Sequence, residues 1–326
     1  MMKRLIPLAC LVCCGRWDQE ADPYDLDFEV PRTEAFAATL SAYDLYEGDL
    51  HDLTPADGVV LYELASELYT DQAYKQRLLK LPDDGVAELT PTGLTYPEGT
   101  IIVKTFYYPI DMTNPTGSRL VLETRLLIKR EGQWNVATYL WNETQTEAEL
   151  LLDGTTRDIS WTDAAGVPQS TEYGVPHEGE CVTCHQTSEQ STYIGPTVAN
   201  LHRDVTRDGA AVNQLDWLIA KGVLPNDVTA PPATIPDYHD PSLDLETQAR
   251  SYLHGNCAHC HHPEGWDGAA RPELDLRFQT PLATSGIPRK ADDIQRQMEN
   301  GTMPHLGVSL PDQTGIDLVT AFLDTL

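Results

Sequence analysis

Basic residues are scarce in this 326-residue chain: 22 Lys and Arg stand against 50 Asp and Glu, a formal charge of −28 at pH 7. That balance excludes a nucleic-acid binder, because phosphates are held by Lys and Arg, and it suits an anionic membrane surface no better. It fits a well-solvated acidic surface, or one that meets a basic partner whose opposite charge speeds encounter. Long apolar runs are missing too. After the first fourteen residues no segment is apolar enough to span a bilayer. Nor are there spare cysteines. Beyond Cys10, Cys13 and Cys14 only Cys181, Cys184, Cys257 and Cys260 remain, as two C-x-x-C pairs, and none is left for a structural disulfide. Methionine is equally thin: after the start there are Met112, Met298 and Met303, none of them between the two pairs.

What is present is enough for a folded chain, with 41% hydrophobic residues. Lys3 and Arg4 precede an apolar run from Leu5 to Cys13, the pattern of a signal segment over residues 1–14. Leu11-Val12-Cys13-Cys14 is similar to a bacterial lipoprotein cleavage site, with Cys14, or else Cys13, as the lipidated residue. Residues 15–39 read as an acidic, Pro-bearing linker. Residues 40–80 carry a mostly helical pattern. Strands are expected at 100–108, 120–130 and 134–141, where β-branched and aromatic residues concentrate, with Glu131-Gly132-Gln133 as a hairpin turn. Two more segments, at 150–152 and 158–161, flank a turn at Asp153-Gly154. A β-rich domain therefore spans 40–200, and a helical and Pro-rich connection spans 201–243, with a helix at 213–221. Residues 244–326 open with a helix running into Cys257 and close with Ile316, Val319, Leu323 and Leu326 on one helical face.

Each C-x-x-C pair is followed at once by histidine: Cys181-Val182-Thr183-Cys184-His185 and Cys257-Ala258-His259-Cys260-His261. C-x-x-C-H reads as covalent haem attachment. Two thiols one helical turn apart meet the two vinyl groups of a haem, and the adjacent histidine ligates iron from the proximal side. A zinc ribbon would bring its second pair about 15–20 residues after the first; here the motifs start 76 residues apart. A thioredoxin-like pair belongs near a βαβ pattern, which is missing, and disulfides do not explain a histidine at the same offset twice. Two covalently bound haem c groups are therefore expected, held by Cys181, Cys184, Cys257 and Cys260, with His185 and His261 on the irons. His259 and His262 read as exposed.

Residues 245–326 resemble a class I cytochrome c domain in their order of helix, C-x-x-C-H, Met-Pro loop (Gly301-Thr302-Met303-Pro304) and closing helix. The resemblance implies Met303 as the sixth ligand of the second haem, with Met298 as its rival. The strand led by Tyr96-Pro97-Glu98-Gly99-Thr100 and ending at Lys104 resembles the β-sheet cytochrome c′ family, which implies an open distal face at the first haem. His202, His239, His254 and Met112 are the other candidates there, His254 foremost. Some relatives in that family cross-link a lysine to the haem, and Lys104 is the residue in question. Taken whole, stretches such as Tyr96–Tyr108, Trp141–Thr146 and Tyr252-Leu253-His254-Gly255-Asn256 resemble a bacterial family of dihaem cytochromes, a likeness that implies two haems and export and supplies no substrate. Trp141–Thr146 reads either as haem-pocket wall or as a buried structural turn.

The expected class is α+β: an N-terminal antiparallel β-sheet domain with flanking helices, followed by an all-α class I cytochrome c-like domain. The expected function is electron transfer between redox partner proteins, in the periplasm or anchored on the periplasmic side of the outer membrane, touching membrane only through a lipidated N-terminus. The alternative is a haem enzyme, a dihaem peroxidase or an oxidoreductase of small nitrogen compounds, working at an open first haem.

Overall fold

A computed structural model describes residues 36–90, 93–185, 192–229, 234–265, 273–304 and 307–326. The expected signal segment lies outside the described residues, as do most of the linker and residues 305–306, which follow Met303-Pro304.

Antiparallel strands organise the chain. β1 (Val59–Leu61), β2 (Tyr74–Lys80), β3 (Glu88–Thr90), β4 (Gly93–Thr95), β5 (Ile101–Pro109), β6 (Arg119–Arg130), β7 (Gln133–Trp141) and β8 (Ala148–Leu151) come first. Six of these form one sheet in the order β1-β2-β5-β6-β7-β8, while β3 and β4 form a small hairpin. β9 (Thr155–Thr162) and β10 (Pro168–Val175) make a second hairpin. A short helix α1 (Glu178–Cys184) follows, then α2 (Val198–Leu201), the hairpin β11 (Asp204–Arg207) and β12 (Ala210–Asn213), and α3 (Gln214–Ala220). The remainder carries α4 (Leu245–Asn256), α5 (Leu282–Ser285), α6 (Ile287–Glu299) and α7 (Gln313–Leu323).

β5 reads Ile-Ile-Val-Lys-Thr-Phe-Tyr-Tyr-Pro, a composition that packs well on a pleated surface. It sits mid-sheet and is covered on both faces. On one side Leu79, Ile102 and Leu127 meet Tyr96, Trp134 and the α3 residues Leu215 and Leu218. On the other, Leu78, Val103 and Leu126 meet Tyr139, Trp141 and the N-terminal residues Leu40, Leu45 and Leu53. Farther along the sheet, Phe106 and Tyr108 pack with Trp161 and Tyr173 of the β9–β10 hairpin.

Two expectations are corrected. Residues 40–80 are not mostly helical: they hold two short 3-10 turns, Leu40–Tyr43 and Leu50–Asp52, and the strands β1 and β2. Pairing with β5 over seven residues overrides the local pattern of Tyr74–Lys80. The larger correction is to fold class. A six-stranded antiparallel sheet dominates, with few helices, and residues 244–326 do not make an all-α class I cytochrome c-like domain. The reason is where the helices find their partners. α4 lies against α7, with Leu253 and Phe322 in a shared cluster, but its polar face is tied to the connection between β1 and β2. Ser66 Oγ donates to Ser251 O at 2.7 Å, and Tyr69 N donates to Asn256 Oδ1 at 2.7 Å. Asp71 Oδ1 accepts from Ser309 N and Leu310 N at 2.7 and 2.8 Å. The C-terminal helices complete the sheet unit through these buried bonds.

Candidate functional site

α1 begins at His177, whose side chain accepts from Gly179 N, with Glu180 reaching back to the His177 N–H. The cap starts the helix so that Cys181 and Cys184 fall one turn apart. His185 closes it, its N–H donating to Cys181 O at 3.0 Å. The His185 side chain is fixed by a second bond, Nδ1 to Thr192 O at 3.2 Å. A carbonyl has no proton to give, so Nδ1 is the protonated nitrogen and Nε2 keeps its lone pair. Burial pushes His185 down to about 4, which keeps the ring neutral at pH 7.

The second motif repeats the turn at the end of α4. Asp244 caps that helix by accepting from Thr247 N at 3.0 Å. Cys257 stands at its C-cap, and His261 N donates to Cys257 O at 3.0 Å. All four motif cysteines are free thiols. Burial raises Cys181 to about 11 and Cys257 to about 12, so both stay protonated near neutrality.

The two motifs meet. Cys184, Cys260 and His259 place their ligand atoms within 4.8 Å of one another, a Cys-His-Cys group that takes one thiol from each motif and does not include either motif's own histidine. The Cys260 thiol and His259 both donate toward the Cys184 sulfur, which holds Cys184 well below the usual thiol range. Cys260 is raised in return. This corrects one expectation: His259 is turned inward, its Nδ1 buried. His262 is half-buried beside Glu264, with Nδ1 3.2 Å from the carboxylate.

Met303 lines a cavity of about 180 Å³ between α6, α7 and Tyr69, and Met298 lines the same cavity. Its walls, among the described residues, include no residue of either motif. Of the remaining candidates, His239 is exposed beside Asp237 at 3.1 Å. Met112 packs at the edge of the Trp161–Tyr173 cluster. His254 accepts from Phe278 N through Nδ1 at 3.2 Å, so its Nε2 carries the proton. His202 keeps a buried Nδ1 without a hydrogen-bond partner among the described residues. Trp141 lies in the core on the far face of the sheet, donating to Thr124 Oγ1 at 3.0 Å, which makes 141–146 a structural turn.

Sequence reasoning missed a row of charges on the sheet face beside α1. Strand register sets Arg77 opposite Lys104 and Lys104 opposite Arg125, with Lys75, Phe106 and Glu123 in the next row. The only local trace is the i, i+2 spacing of Lys75 and Arg77 and of Glu123 and Arg125. No protein-family model, curated protein or solved structure matches the chain.

Proposed function

We propose that the chain is an exported c-type cytochrome that carries two covalently bound haem c groups and passes electrons between redox partner proteins. The observation that carries this reading is the repeated local geometry: two unbridged thiols one helical turn apart, followed by a histidine. At His185 the orientation is further set by the Thr192 carbonyl, which leaves Nε2 as the coordinating atom. Cys181 and Cys184 would hold one haem and Cys257 and Cys260 the other, with His185 and His261 on the irons and Met303 as a ligand of the second. Each haem supplies a one-electron iron couple whose potential follows its axial ligands. The chain's own part is attachment, orientation and spacing. Because Cys184 and Cys260 lie side by side, the two attachments adjoin, which favours transfer within the molecule. The charge of −28 favours a basic partner. A periplasmic setting, with Cys14 as an optional lipid anchor, fits the start of the chain.

A second reading rests on the Cys184–His259–Cys260 group. Two thiolates and an imidazole suit a soft ion such as zinc or copper(I). One sample separates the two readings. Protein made with a haem-attachment system is assayed for zinc and copper as isolated, and a portion of it is extracted with acid–acetone, weighed intact and assayed for haem. Two retained haems per chain are expected, one lost in C181S/C184S and the other in C257S/C260S. A haem-free chain with one equivalent of zinc or copper would refute the cytochrome reading.

A further inference from the structure

The charged row beside the first motif has an electrostatic imbalance. Arg77, Lys75, Lys104 and Arg125 share one face of β2, β5 and β6, and the two carboxylates at ion-pair distance, Glu67 and Glu123, are taken by the arginines. Glu67 takes Arg77 at 3.1 Å. Glu123 takes Arg125 at 2.9 and 2.5 Å and also accepts from Tyr173 OH at 2.7 Å. Lys75 and Lys104 reach no carboxylate at ion-pair distance among the described residues; the Lys75 ammonium donates only to Ala73 O at 3.1 Å. Both lysines stand over the Phe106 ring, at 5.9 and 4.8 Å from its centre, and Arg125 stands over it at 4.5 Å. Like charges directly opposite in a sheet repel, and two uncompensated cations in a half-buried place are costly. Glu67 and Asp71 act on Lys75, and Glu123 acts on Lys104, only from beyond ion-pair distance. The cost is visible at both lysines: burial and the neighbouring guanidiniums push Lys75 down to about 7 and hold Lys104 well below the usual lysine range.

The recess also lies at the first motif: Lys104 is among the charges that act on His185, and Arg125 among those that act on Cys181. We infer that the recess formed by Lys75, Arg77, Lys104 and Arg125 around Phe106 binds a small inorganic oxyanion. Two unmatched cations favour a doubly charged ion over a singly charged one. The inference rests on the haem reading only for its consequence, that the bound anion lies beside the first iron. A haem's own carboxylates share this chemistry, and the experiment distinguishes the two sources.

The test is calorimetric titration of the purified full chain, made with a haem-attachment system, with sodium sulfate at pH 7, with chloride holding ionic strength constant and sodium nitrate titrated in parallel. One sulfate site per chain is expected, tighter than nitrate. Lys104→Met and Lys75→Met should each weaken it by about tenfold or more, the loss of one close charge in a partly desolvated site, while Lys104→Arg retains it. Both methionine variants remove a buried charge and are expected to keep the wild-type circular dichroism. Absence of any sulfate heat, as when haem carboxylates already fill the recess, would overturn the inference, as would equal affinity in all variants. Haem content is measured separately on the same samples, so a chain without haem defeats the cytochrome reading while the anion titration still gives its own answer.

Discussion

Replacing Glu123 with glutamine would leave the shape of the charged row almost unchanged and alter its balance by one unit. Glu123 is fully buried and accepts three bonds, two from Arg125 and one from Tyr173. Glutamine keeps an acceptor for Tyr173 but gives the guanidinium no counter-charge, beside two lysines already unmatched. Breaking one side of a buried ion pair costs about 3–5 kcal/mol. The Arg125 side chain retains 17% exposure, so water recovers part of the loss and the lower end, about 3 kcal/mol, is expected. The double variant Glu123→Gln/Arg125→Met removes both charges, and exchanging a buried pair for packed groups is often close to neutral. It should lie within about 1 kcal/mol of wild type, recovering about 2 kcal/mol of the single variant's loss. Urea unfolding followed by far-ultraviolet circular dichroism, with the slope m held common, gives both numbers. A single variant that loses under about 1 kcal/mol, or a double variant no better than the single, would mean that the cation excess is solvated and the row carries no strain.

Three further outcomes are expected. Stability should rise with pH between about 7 and the ordinary lysine range: there the unfolded chain binds a proton at Lys75 that the folded chain refuses, and this destabilisation, full below about 7, is lifted as pH climbs. Lys75→Met should lessen that slope in urea titrations run at several pH values, the remainder resting on Lys104, which burial also holds well below the lysine range. Gly315→Ala would drive a methyl carbon into the buried Tyr252 side chain, and about 1–3 kcal/mol of overpacking loss is expected in urea unfolding; a urea midpoint equal to wild type would contradict the α4–α7 packing. Met303→Ala should lower the potential of the second haem in a redox titration, since thioether ligation raises it, and a drop found in Met298→Ala alone would exchange the roles of the two methionines.

The sequence made some of this legible and concealed the rest for identifiable reasons. β5, β6 and β7 are readable because Val, Ile, Tyr, Trp and Leu run through them with little interruption. β2 is not, because Tyr-Lys-Gln-Arg-Leu-Leu-Lys shows two adjacent apolar residues and becomes a strand only through its pairing with β5. The closing helix α7 was visible in its spacing, and α4 in the run into Cys257, but nothing local told that Ser251 and Asn256 would turn to residues 66–69. Both C-x-x-C-H motifs stand out as text. Their meeting at Cys184 and Cys260 is a tertiary fact between residues 76 apart. The charged row needs the register of three strands before Arg77, Lys104 and Arg125 become neighbours.

The connection between β1 and β2 acts as a yoke. Through Ser66, Tyr69 and Asp71 it holds α4 on one side and the 309–310 backbone on the other, while the sheet it leads into carries α1. The separation of the two motifs is thus fixed by a loop that belongs to neither and precedes Cys181 by more than a hundred residues. Swapping either motif for one from another protein would leave that separation intact; loosening Ser66 or Asp71 would change it without touching a single cysteine.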